Sequence, residues 1–416
     1  MPEKIYGLLG RKLSHSWSVP IHAAVGNPAY RLIELEPEDL PAFLAREDIG
    51  GLNVTIPYKR DVMPLCDVID PAARDIGSVN TLVRRDGKLY AWNTDISGFL
   101  FMARRAGVEL KDRKVLILGS GGTSLTAQAA ARTCGAAEIV VVSRGGADNY
   151  DNLDRHSDAQ IVVNTTPVGM YPNVGAAAVD LSRFPACRGV LDVVYNPRRT
   201  ALLLQAESLG IPCSDGLPML VNQAIAAEEH FFQRSIDPAE NERVLGLLRR
   251  EMENIVLIGM PGCGKTTVGA ELAALTGREA VDLDAEIVKT AGKSIPEIFA
   301  QDGEAAFRAL ERETAQRFGK ESRKIIVCGG GIVKDPRNYG PLHQNGRIYQ
   351  LDRALDKLPT DGRPLSQNAD LAAMAAERGP LYARFRDALI DNNAAPADAA
   401  GAIWRDFCAD LDPERT

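Results

Sequence analysis

Short apolar runs alternate with stretches of helical periodicity along most of the chain, and this pattern predicts an α/β architecture built from strand–helix–strand units. Near the amino terminus, the runs 5–9, 30–35 and 51–56 read as strands with helices between them. We therefore predict a small α/β domain over residues 1–97.

A second pattern follows this domain. The apolar run 115–118 leads into a glycine-rich turn and a helical stretch over 125–134, and later strand-like runs cover 138–143, 161–163 and 190–194. This order predicts a doubly wound, Rossmann-type nucleotide-binding domain over 98–217. The next segment, 218–235, reads as one helix that we expect to return and complete the first domain.

Charged residues then dominate 236–253, which is helix-prone and contains no strand-like run, so we predict a linker there. The apolar run 255–258 opens a further α/β region over 254–416. The chain of 416 residues is long enough for these domains to have separate cores.

Composition narrows the classes of function. The chain is 45% hydrophobic and 25% charged, with a net charge of −7 and no block of Lys or Arg, which argues against nucleic acid or an anionic membrane as a partner. The seven cysteines are scattered without a C-x-x-C spacing, which indicates reduced thiols rather than a zinc site. With no signal-peptide pattern and no apolar run of membrane-spanning length, we expect a cytoplasmic protein.

The strongest chemical motif lies in mid-chain. Residues 259–266 read Gly-Met-Pro-Gly-Cys-Gly-Lys-Thr and match the phosphate-loop pattern G-x-x-x-x-G-K-[ST] between a strand and a helical stretch. In such a loop the backbone N–H groups cradle phosphates, the lysine reaches the outer phosphates and the hydroxyl faces Mg²⁺. The predicted ATP-binding residues are Gly262, Cys263, Gly264, Lys265, Thr266 and Thr267.

A weaker nucleotide motif follows the run 115–118. Gly119 permits a tight turn and Gly121 allows a backbone to approach a pyrophosphate, while Ser124 replaces the third glycine of the usual fingerprint. An ordinary glycine-rich turn is an equally good interpretation of so short a match. The next strand ends at Arg144 without an acidic residue, which favours NADP if the cation faces a 2′-phosphate; it is otherwise a solvated turn residue.

Residues 1 to about 235 resemble shikimate dehydrogenase in the order and spacing of several elements. They are the H-S-x-S element at 15–18, Asn53-Val54-Thr55-Ile56-Pro57-Tyr58-Lys59, Gly77-Ser78-Val79-Asn80-Thr81, Trp92-Asn93-Thr94-Asp95, Asn164–Met170, 192–200 and Asp215–Leu220 with Gln223.

This resemblance implies a site for reducing a ring ketone. Lys59 and Asp95 match the acid–base pair of the family, whereas Lys59 taken alone would be interpreted as a surface lysine. Hydroxyl and amide side chains are implied to hold a small polyhydroxylated acid: Ser16, Ser18, Thr55, Asn80 and Gln223. The implied NADP(H)-binding residues are Gly119, Gly121, Gly122, Arg144, Thr165 and Met219.

Residues 254–416 resemble shikimate kinase. The elements are Asp282-Leu283-Asp284, Phe307-Arg308-Ala309-Leu310-Glu311, Gly329-Gly330-Gly331, Gly362-Arg363-Pro364-Leu365 and Arg378-Gly379-Pro380-Leu381-Tyr382. The fold implied is that of the nucleoside-monophosphate kinases. Near the carboxyl end, residues 392–396 read Asn-Asn-Ala-Ala-Pro and lack an arginine that often flanks adenine in the family.

The resemblance also implies a role for each of these residues. Thr266 binds Mg²⁺ directly and Asp282 through a water, and Asp284, one strand alternation further, orients or deprotonates the acceptor hydroxyl. Carboxylate and ring contacts are expected from Arg308, Arg378, Gly330 and Gly331, and charge neutralisation from Lys265 and from Arg363 on a mobile lid. Taken singly, Arg308 is equally explained by pairing with Glu304 or Glu311.

The whole sequence therefore predicts a bifunctional enzyme that reduces 3-dehydroshikimate to shikimate with NADPH and phosphorylates shikimate with Mg·ATP. Two alternatives remain. The first half is a quinate/shikimate dehydrogenase that uses NAD, or one half has lost catalysis and is regulatory. The sequence does not indicate an oligomeric state.

Overall fold

A computed structural model describes residues 4–13, 16–358 and 371–409. These residues form two compact units. The first takes in the chain up to Gly169, Ala176–Tyr195 and Gln205–Leu245. The second takes in Met170–Gly175, Asn196–Leu204 and the chain from Gly246 onwards. The predicted α/β class is confirmed, while the predicted domain borders stay predictions.

Sixteen strands form three sheets within the described ranges. They are β1 (Ile5–Gly10), β2 (Arg31–Glu34), β3 (Ile49–Val54), β4 (Val68–Ile69), β5 (Thr81–Arg85), β6 (Lys88–Trp92), β7 (Lys114–Leu118), β8 (Glu138–Val142), β9 (Ile161–Asn164), β10 (Gly189–Asp192), β11 (Cys213–Ser214), β12 (Asn254–Ile258), β13 (Glu279–Asp282), β14 (Lys324–Val327), β15 (Gly346–Asp352) and β16 (Ala388–Asp391).

The α-helices pack on these sheets. They are α1 (Ser18–Ala24), α2 (Leu40–Leu44), α3 (Pro71–Ile76), α4 (Asp95–Arg105), α5 (Gly122–Thr133), α6 (Ala201–Ser208), α7 (Leu217–Phe232), α8 (Ala239–Met252), α9 (Lys265–Thr276), α10 (Leu283–Ala291), α11 (Ile295–Gln301), α12 (Gly303–Gly319), α13 (Tyr339–His343), α14 (Leu371–Phe385) and α15 (Pro396–Ala409).

The first sheet is mixed, with strand order β2-β1-β3-β5-β6-β4. β1 pairs in parallel with β2 and β3, whereas β5 runs antiparallel to both β3 and β6. Asp86 and Gly87 join β5 to β6 with φ values of 49° and 74°, the left-handed pair that a tight hairpin turn requires. The apolar pattern of the sequence does not predict this hairpin.

The second sheet is parallel, in the order β11-β10-β9-β7-β8, and is the predicted doubly wound core. Its inner strand β7, which lies between β9 and β8, carries Val115 to Leu118, all essentially inaccessible to solvent, because helices cover both faces of such a sheet. Helix α7 packs on the first sheet, where its Phe231 lies against Gly51 of β3. Gly51 leaves room for that ring, since a Cβ there would lie 2.2 Å from it.

The third sheet belongs to the second unit and is parallel, in the order β13-β14-β12-β15-β16. Ile255 to Ile258 on central strand β12 are fully buried, as the continuous apolar run predicts. The predicted linker is mostly the helix α8, and it is not a purely polar connector, because Val244, Leu248 and Met252 are buried.

Three further observations bear on function. No helix in the described part of the chain has the length and apolar character needed to cross a membrane. Cys66, Cys134, Cys187, Cys263, Cys328 and Cys408 are free thiols. Among residues 4–13, 16–358 and 371–409, no group of three or more His, Cys, Asp or Glu side chains is arranged to hold a metal ion.

Candidate active sites

Lys59 and Asp95, which lie 36 residues apart in sequence, form an ion pair in the first unit with 2.6 Å between Nζ and Oδ2. Asn80 donates from Nδ2 to the other carboxylate oxygen, Oδ1, at 2.8 Å. The lysine side chain is 27% exposed and the aspartate side chain 14%, so the pair is shielded yet open to a ligand. Each oxygen of Asp95 therefore has a defined partner.

The topology of the first sheet explains why these residues meet. β1 and β3 are parallel neighbours, and their carboxyl ends lie together where Leu9 pairs with Val54. β5 runs the other way, so its start lies at the same edge and Asn53 pairs with Thr81. Ser16, Ser18, Thr55, Asn80 and Asp95 all follow or precede strand ends at this edge.

Two of the predicted substrate residues shape the loop after β1. Ser18 opens α1 and is buried, and its backbone N–H donates to Ser16 Oγ at 3.1 Å. Thr55 is fixed by a bond of 2.9 Å from its N–H to the Leu9 carbonyl. His15 of the predicted element lies outside the described residues.

Helix α7 lies against α4, the helix that begins with Asp95. A Cβ on Gly98 of α4 would come within 2.4 Å of the Met219 carbonyl and 3.2 Å of Gln223 Cβ, so only glycine permits this approach. The Gln223 amide donates to the Leu220 carbonyl of its own helix at 2.9 Å. The packing brings Met219 and Gln223 to the side of the helix that carries the carboxylate.

The glycine-rich turn after β7 has the geometry of a dinucleotide-binding turn. Gly119 has φ +107°, and its N–H donates to the Val142 carbonyl of β8 at 2.8 Å. Gly121 caps the twelve-residue helix α5. A Cβ added at Gly121 or Gly122 would have no other group within 4 Å. The helix amino terminus is therefore open to a pyrophosphate.

Two flanking residues of the predicted cofactor site lie at strand ends. Thr165 follows β9 and donates from Oγ1 to the Leu118 carbonyl at 2.7 Å, which ties it to the glycine turn. Arg144 follows β8 on an exposed turn that is closed by a bond of 3.2 Å from Gly146 N–H to the Ser143 carbonyl. An exposed guanidinium fits either interpretation of Arg144, a 2′-phosphate ligand or a solvated cation.

The second unit contains a cavity of about 1420 Å³, larger than the roughly 300–1,000 Å³ of a usual ligand pocket and therefore roomy enough for two small ligands. The residues that line it include Gly262, Gly264, Lys265, Thr266, Thr267, Asp282, Asp284, Arg308, Gly330, Gly331 and Arg378. These come from all the predicted elements within the described residues. Arg363 lies outside the described residues, so its predicted role stays a prediction.

The phosphate loop joins β12 to α9 as predicted. Gly262 and Gly264 adopt φ +85° and +93°, and Lys265 donates to the Gly259 and Met260 carbonyls at 2.9 and 3.1 Å. Thr266 Oγ1 lies 3.1 Å from Asp282 Oδ2. A hydroxyl and a carboxylate at this distance are hard oxygen donors of the kind that Mg²⁺ prefers.

Asp284 does not follow Asp282 along a strand, so the expected strand alternation is wrong. Asp282 ends β13, and its Oδ1 accepts from the backbone N–H of Asp284 at 3.0 Å, which caps α10. Asp284 thus lies in the first turn of a helix. The short polar side chain of Asp282 ends the strand because it accepts hydrogen bonds from backbone N–H groups in the first turn of α10.

The two predicted carboxylate-binding arginines are held firmly. Arg308 donates to Glu311 at 2.7 Å and to Glu304 at 3.1 Å, so both pairings considered from the sequence are present. Burial raises the pKa of the Glu311 carboxyl, and Arg308 opposes part of that rise. Arg378 donates to the Gly330 carbonyl at 3.1 Å.

Sequence reasoning missed two residues beside this cavity. Asn392, in the segment noted only for its lack of an arginine, is buried and donates to the Cys263 carbonyl of the phosphate loop at 2.6 Å. Arg353 follows β15 and lines the cavity. Arg353 follows β15 and Asn392 follows β16, and both strands lie on the same side of β12 in the parallel sheet. The carboxyl ends of parallel strands share one edge, so a position directly after a strand is the signal that would have found both residues.

Family models match both halves. The model of the shikimate dehydrogenase substrate binding domain matches residues 8–82, and the model of shikimate kinase matches residues 261–407.

Individual relatives agree with the first half. The chain is 35% identical over 262 residues to a shikimate dehydrogenase (NADP(+)) of Clostridium perfringens, covering 58% of this chain and 97% of that protein.

Solved structures agree as well. A chorismate mutase/shikimate 5-dehydrogenase fusion protein from Clostridium acetobutylicum has TM-score 0.57 and 34% identity, covering 60% of this chain and 98% of that one. The quinate dehydrogenase of Corynebacterium glutamicum in complex with NAD has TM-score 0.54 and 27% identity, covering 58% and 98%. The chain belongs to the shikimate dehydrogenase family and carries a shikimate kinase domain after it, so it is a bifunctional enzyme of the shikimate pathway.

Proposed function

We propose that the first enzyme reduces 3-dehydroshikimate to shikimate with NADPH, and that the second transfers the γ-phosphoryl group of Mg·ATP to the 3-hydroxyl of shikimate. The observation that carries the proposal is the presence in one chain of two separate sites. One is a lysine–carboxylate pair suited to ketone reduction, and the other is a phosphate-loop cavity that also contains two arginines suited to a carboxylate.

In the first site, NADPH when bound supplies the hydride for the ketone carbon. The Lys59 ammonium donates a proton to the carbonyl oxygen as negative charge develops there. Asp95, 2.6 Å from Nζ, keeps the lysine oriented before the transfer. Partial exposure of Lys59 lets solvent return the proton after each turnover.

Neutral hydrogen-bonding groups from the edge of the first sheet and from α7 hold the substrate. Ser16, Ser18 and Thr55 have hydroxyls suited to the carboxylate and ring hydroxyls of a small polyhydroxylated acid. Asn80, which contacts Asp95, and Gln223 on α7 add amides. The open amino terminus of α5 fits a pyrophosphate, since no Cβ contact blocks Gly121 or Gly122.

In the second site, Mg·ATP when bound supplies the phosphoryl group. Lys265 and the backbone N–H groups of the loop would hold its phosphates, and Thr266 and Asp282 would hold the metal, which would neutralise charge on the transferring phosphate. Asp284 accepts the proton of the attacking hydroxyl, while Arg308 and Arg378 bind the shikimate carboxylate as guanidinium forks. Arg363 is proposed to neutralise the transferring phosphate.

Reciprocal variants test the proposal in one protein. Lys59→Ala should abolish NADPH oxidation with 3-dehydroshikimate and keep shikimate phosphorylation at the wild-type rate, and Asp284→Asn should do the reverse. The activity that each variant keeps shows that its chain is folded. A wild-type protein with only one of the two activities would contradict the two-enzyme proposal and favour a regulatory role for the inactive half.

A quinate/shikimate dehydrogenase that uses NAD is the second candidate for the first half. It is favoured by the single exposed cation, Arg144, at the position that reads the ribose, and by the similarity to a quinate dehydrogenase in complex with NAD. Steady-state rates with NADP against NAD, and with shikimate against quinate, separate the two. A kcat/KM that is higher with NAD and quinate than with NADP and shikimate would favour this second candidate over the first.

A further inference from the structure

A second ionisable pair lies in the first unit, away from Lys59 and Asp95. His22 on α1 contacts Glu228 on α7 through Nδ1 and Oε1, and both side chains have no exposed area. Asn27 donates to the same Glu228 oxygen at 2.8 Å. A pair buried this completely pays a desolvation cost that well-packed apolar residues would avoid, so stability alone does not explain it.

The imidazole of His22 is held by stacking as well as by the carboxylate. Its ring lies parallel to that of Tyr30, with 3.6 Å between centroids and 9° between planes. Burial lowers the pKa of His22, and contact with Glu228 offsets part of this shift. The histidine therefore serves as a fixed, buried hydrogen-bonding group between two helices.

From Tyr30 the contacts continue towards the active site. The Tyr30 hydroxyl donates to Asn53 Oδ1 at 2.8 Å. The Asn53 amide donates to the Asn80 carbonyl and to Thr81 Oγ1, both at 3.3 Å. Tyr30, Asn53, Asn80 and Thr81 are all buried, so water does not compete for these bonds.

The last link reaches the reacting pair. Asn80 Oδ1 accepts from the Thr94 backbone N–H at 2.8 Å, while its Nδ2 donates to Asp95 Oδ1 at 2.8 Å. The amide is thus locked in one orientation, and Asp95 in turn holds Lys59. A continuous series of contacts joins Glu228 to the proposed proton donor.

The other end of the series is α7, the helix that carries Gln223. Glu228 lies five residues after Gln223 on α7, and His22 lies four residues after Ser18 on α1. The His22–Glu228 pair therefore couples the position of the serine loop to the position of Gln223. Movement of α7 relative to the sheet would break it.

We propose that Tyr30 and Glu228 are positioning residues of the dehydrogenase, which act through this buried series of contacts to set Asp95 and α7 relative to the substrate. The inference rests on the proposed dehydrogenase function. Neither residue touches the reacting atoms, and the effect passes through Asn53, Asn80 and His22.

Tyr30→Phe is the sharpest test, because it removes one hydroxyl and keeps the ring that stacks on His22. Asn53 Oδ1 then loses a donor, Asn53 and Asn80 relax, and we expect kcat for shikimate oxidation with NADP to fall roughly tenfold. KM for NADP and the rate of shikimate phosphorylation should not change. Tyr90→Phe, on β6 of the same sheet, is the matched control and should keep the wild-type dehydrogenase kcat.

Glu228→Gln is the second variant, since it keeps the shape of the side chain and removes the charge. We expect it to raise KM for shikimate several-fold with KM for NADP unchanged, because α7 carries Gln223. Urea unfolding of each variant gives its folded fraction. A positioning role changes kcat or KM per folded molecule, whereas a merely structural role lowers only the unfolding midpoint.

The outcomes separate the two levels of proposal. If the wild-type protein has no dehydrogenase activity, the proposed function itself fails. If the wild type is active and both variants keep its kcat and KM per folded molecule, the positioning role is overturned, whatever their stability. If one variant does not fold, the other decides by the same criterion.

Discussion

Gly329 follows β14 and lies directly against Asp284, the proposed acceptor of the shikimate proton. In Gly329→Ala, the added Cβ would lie 2.6 Å from Asp284 Oδ1, and real Cβ contacts essentially never fall below 3.0 Å, so the carboxylate must retreat by at least about 0.4 Å. Because an error of ~1 Å in the position of a catalytic group costs on the order of 10²-fold in rate, we expect a fall in kinase kcat of roughly tenfold or more. A tenfold fall equals ~1.4 kcal/mol of transition-state stabilisation.

The assay is steady-state ADP release with shikimate and Mg·ATP, measured alongside the dehydrogenase rate as a reference for protein concentration. KM for ATP should stay unchanged, since the variant does not alter the phosphate loop. Gly340→Ala on α13 is the matched control, because its Cβ would meet no group nearer than 3.7 Å. A wild-type kcat in Gly329→Ala would refute the role of Asp284 as a proton acceptor held in one position.

Three further changes probe other parts of the second unit. Asn392→Ala removes the donor to the Cys263 carbonyl and should raise KM for ATP roughly tenfold without changing KM for shikimate; equal changes in both would contradict a specific effect on the loop. Arg278→Ala removes a guanidinium that lies 4.8 Å from the Phe407 ring centroid, and the free energy of unfolding in urea should fall by ~2–4 kcal/mol. A change below ~0.5 kcal/mol would show that this packing is dispensable. A hydrogen bond from Arg337 lowers the pKa of Asp335 to about 2, so its contribution to stability is present above about pH 4 and is lost as the pH falls towards 2. Asp335→Asn should therefore flatten the pH dependence of the urea midpoint in that range, and an unchanged slope would contradict this.

Local motifs carried most of what could be predicted. A tight turn between a buried strand and a helix needs glycine at fixed positions, so the turns at Gly119 and Gly259 and their neighbouring strands are evident from a few consecutive residues. The inner strands β7 and β12 are buried on both faces and read as continuous apolar runs. These features depend on the chain within about one element of each site.

Contacts between distant residues were much less evident. The link from Asn392 to Cys263 joins residues 129 positions apart, and it depends on the order of strands in the third sheet, which periodicity does not determine. From the sequence, Asp284 is interpreted as a strand residue because three residues are too few to reveal a period. In the structure the carboxylate of Asp282 caps α10, so Asp284 belongs to that helix. The hairpin at Asp86 is not evident from the sequence because β5 ends in two arginines and β6 begins with a lysine, so neither strand is a continuous apolar run.

Every described residue proposed for the dehydrogenase site belongs to the first compact unit, and every described residue proposed for the kinase site belongs to the second. The consequence is genetic. Two defective alleles of this one gene, such as one with Lys59→Ala and one with Asp284→Asn, should complement each other when both are expressed in a host that lacks both activities. Shikimate released by one polypeptide can then serve the other, so the gene should behave in a cross as two adjacent complementation groups.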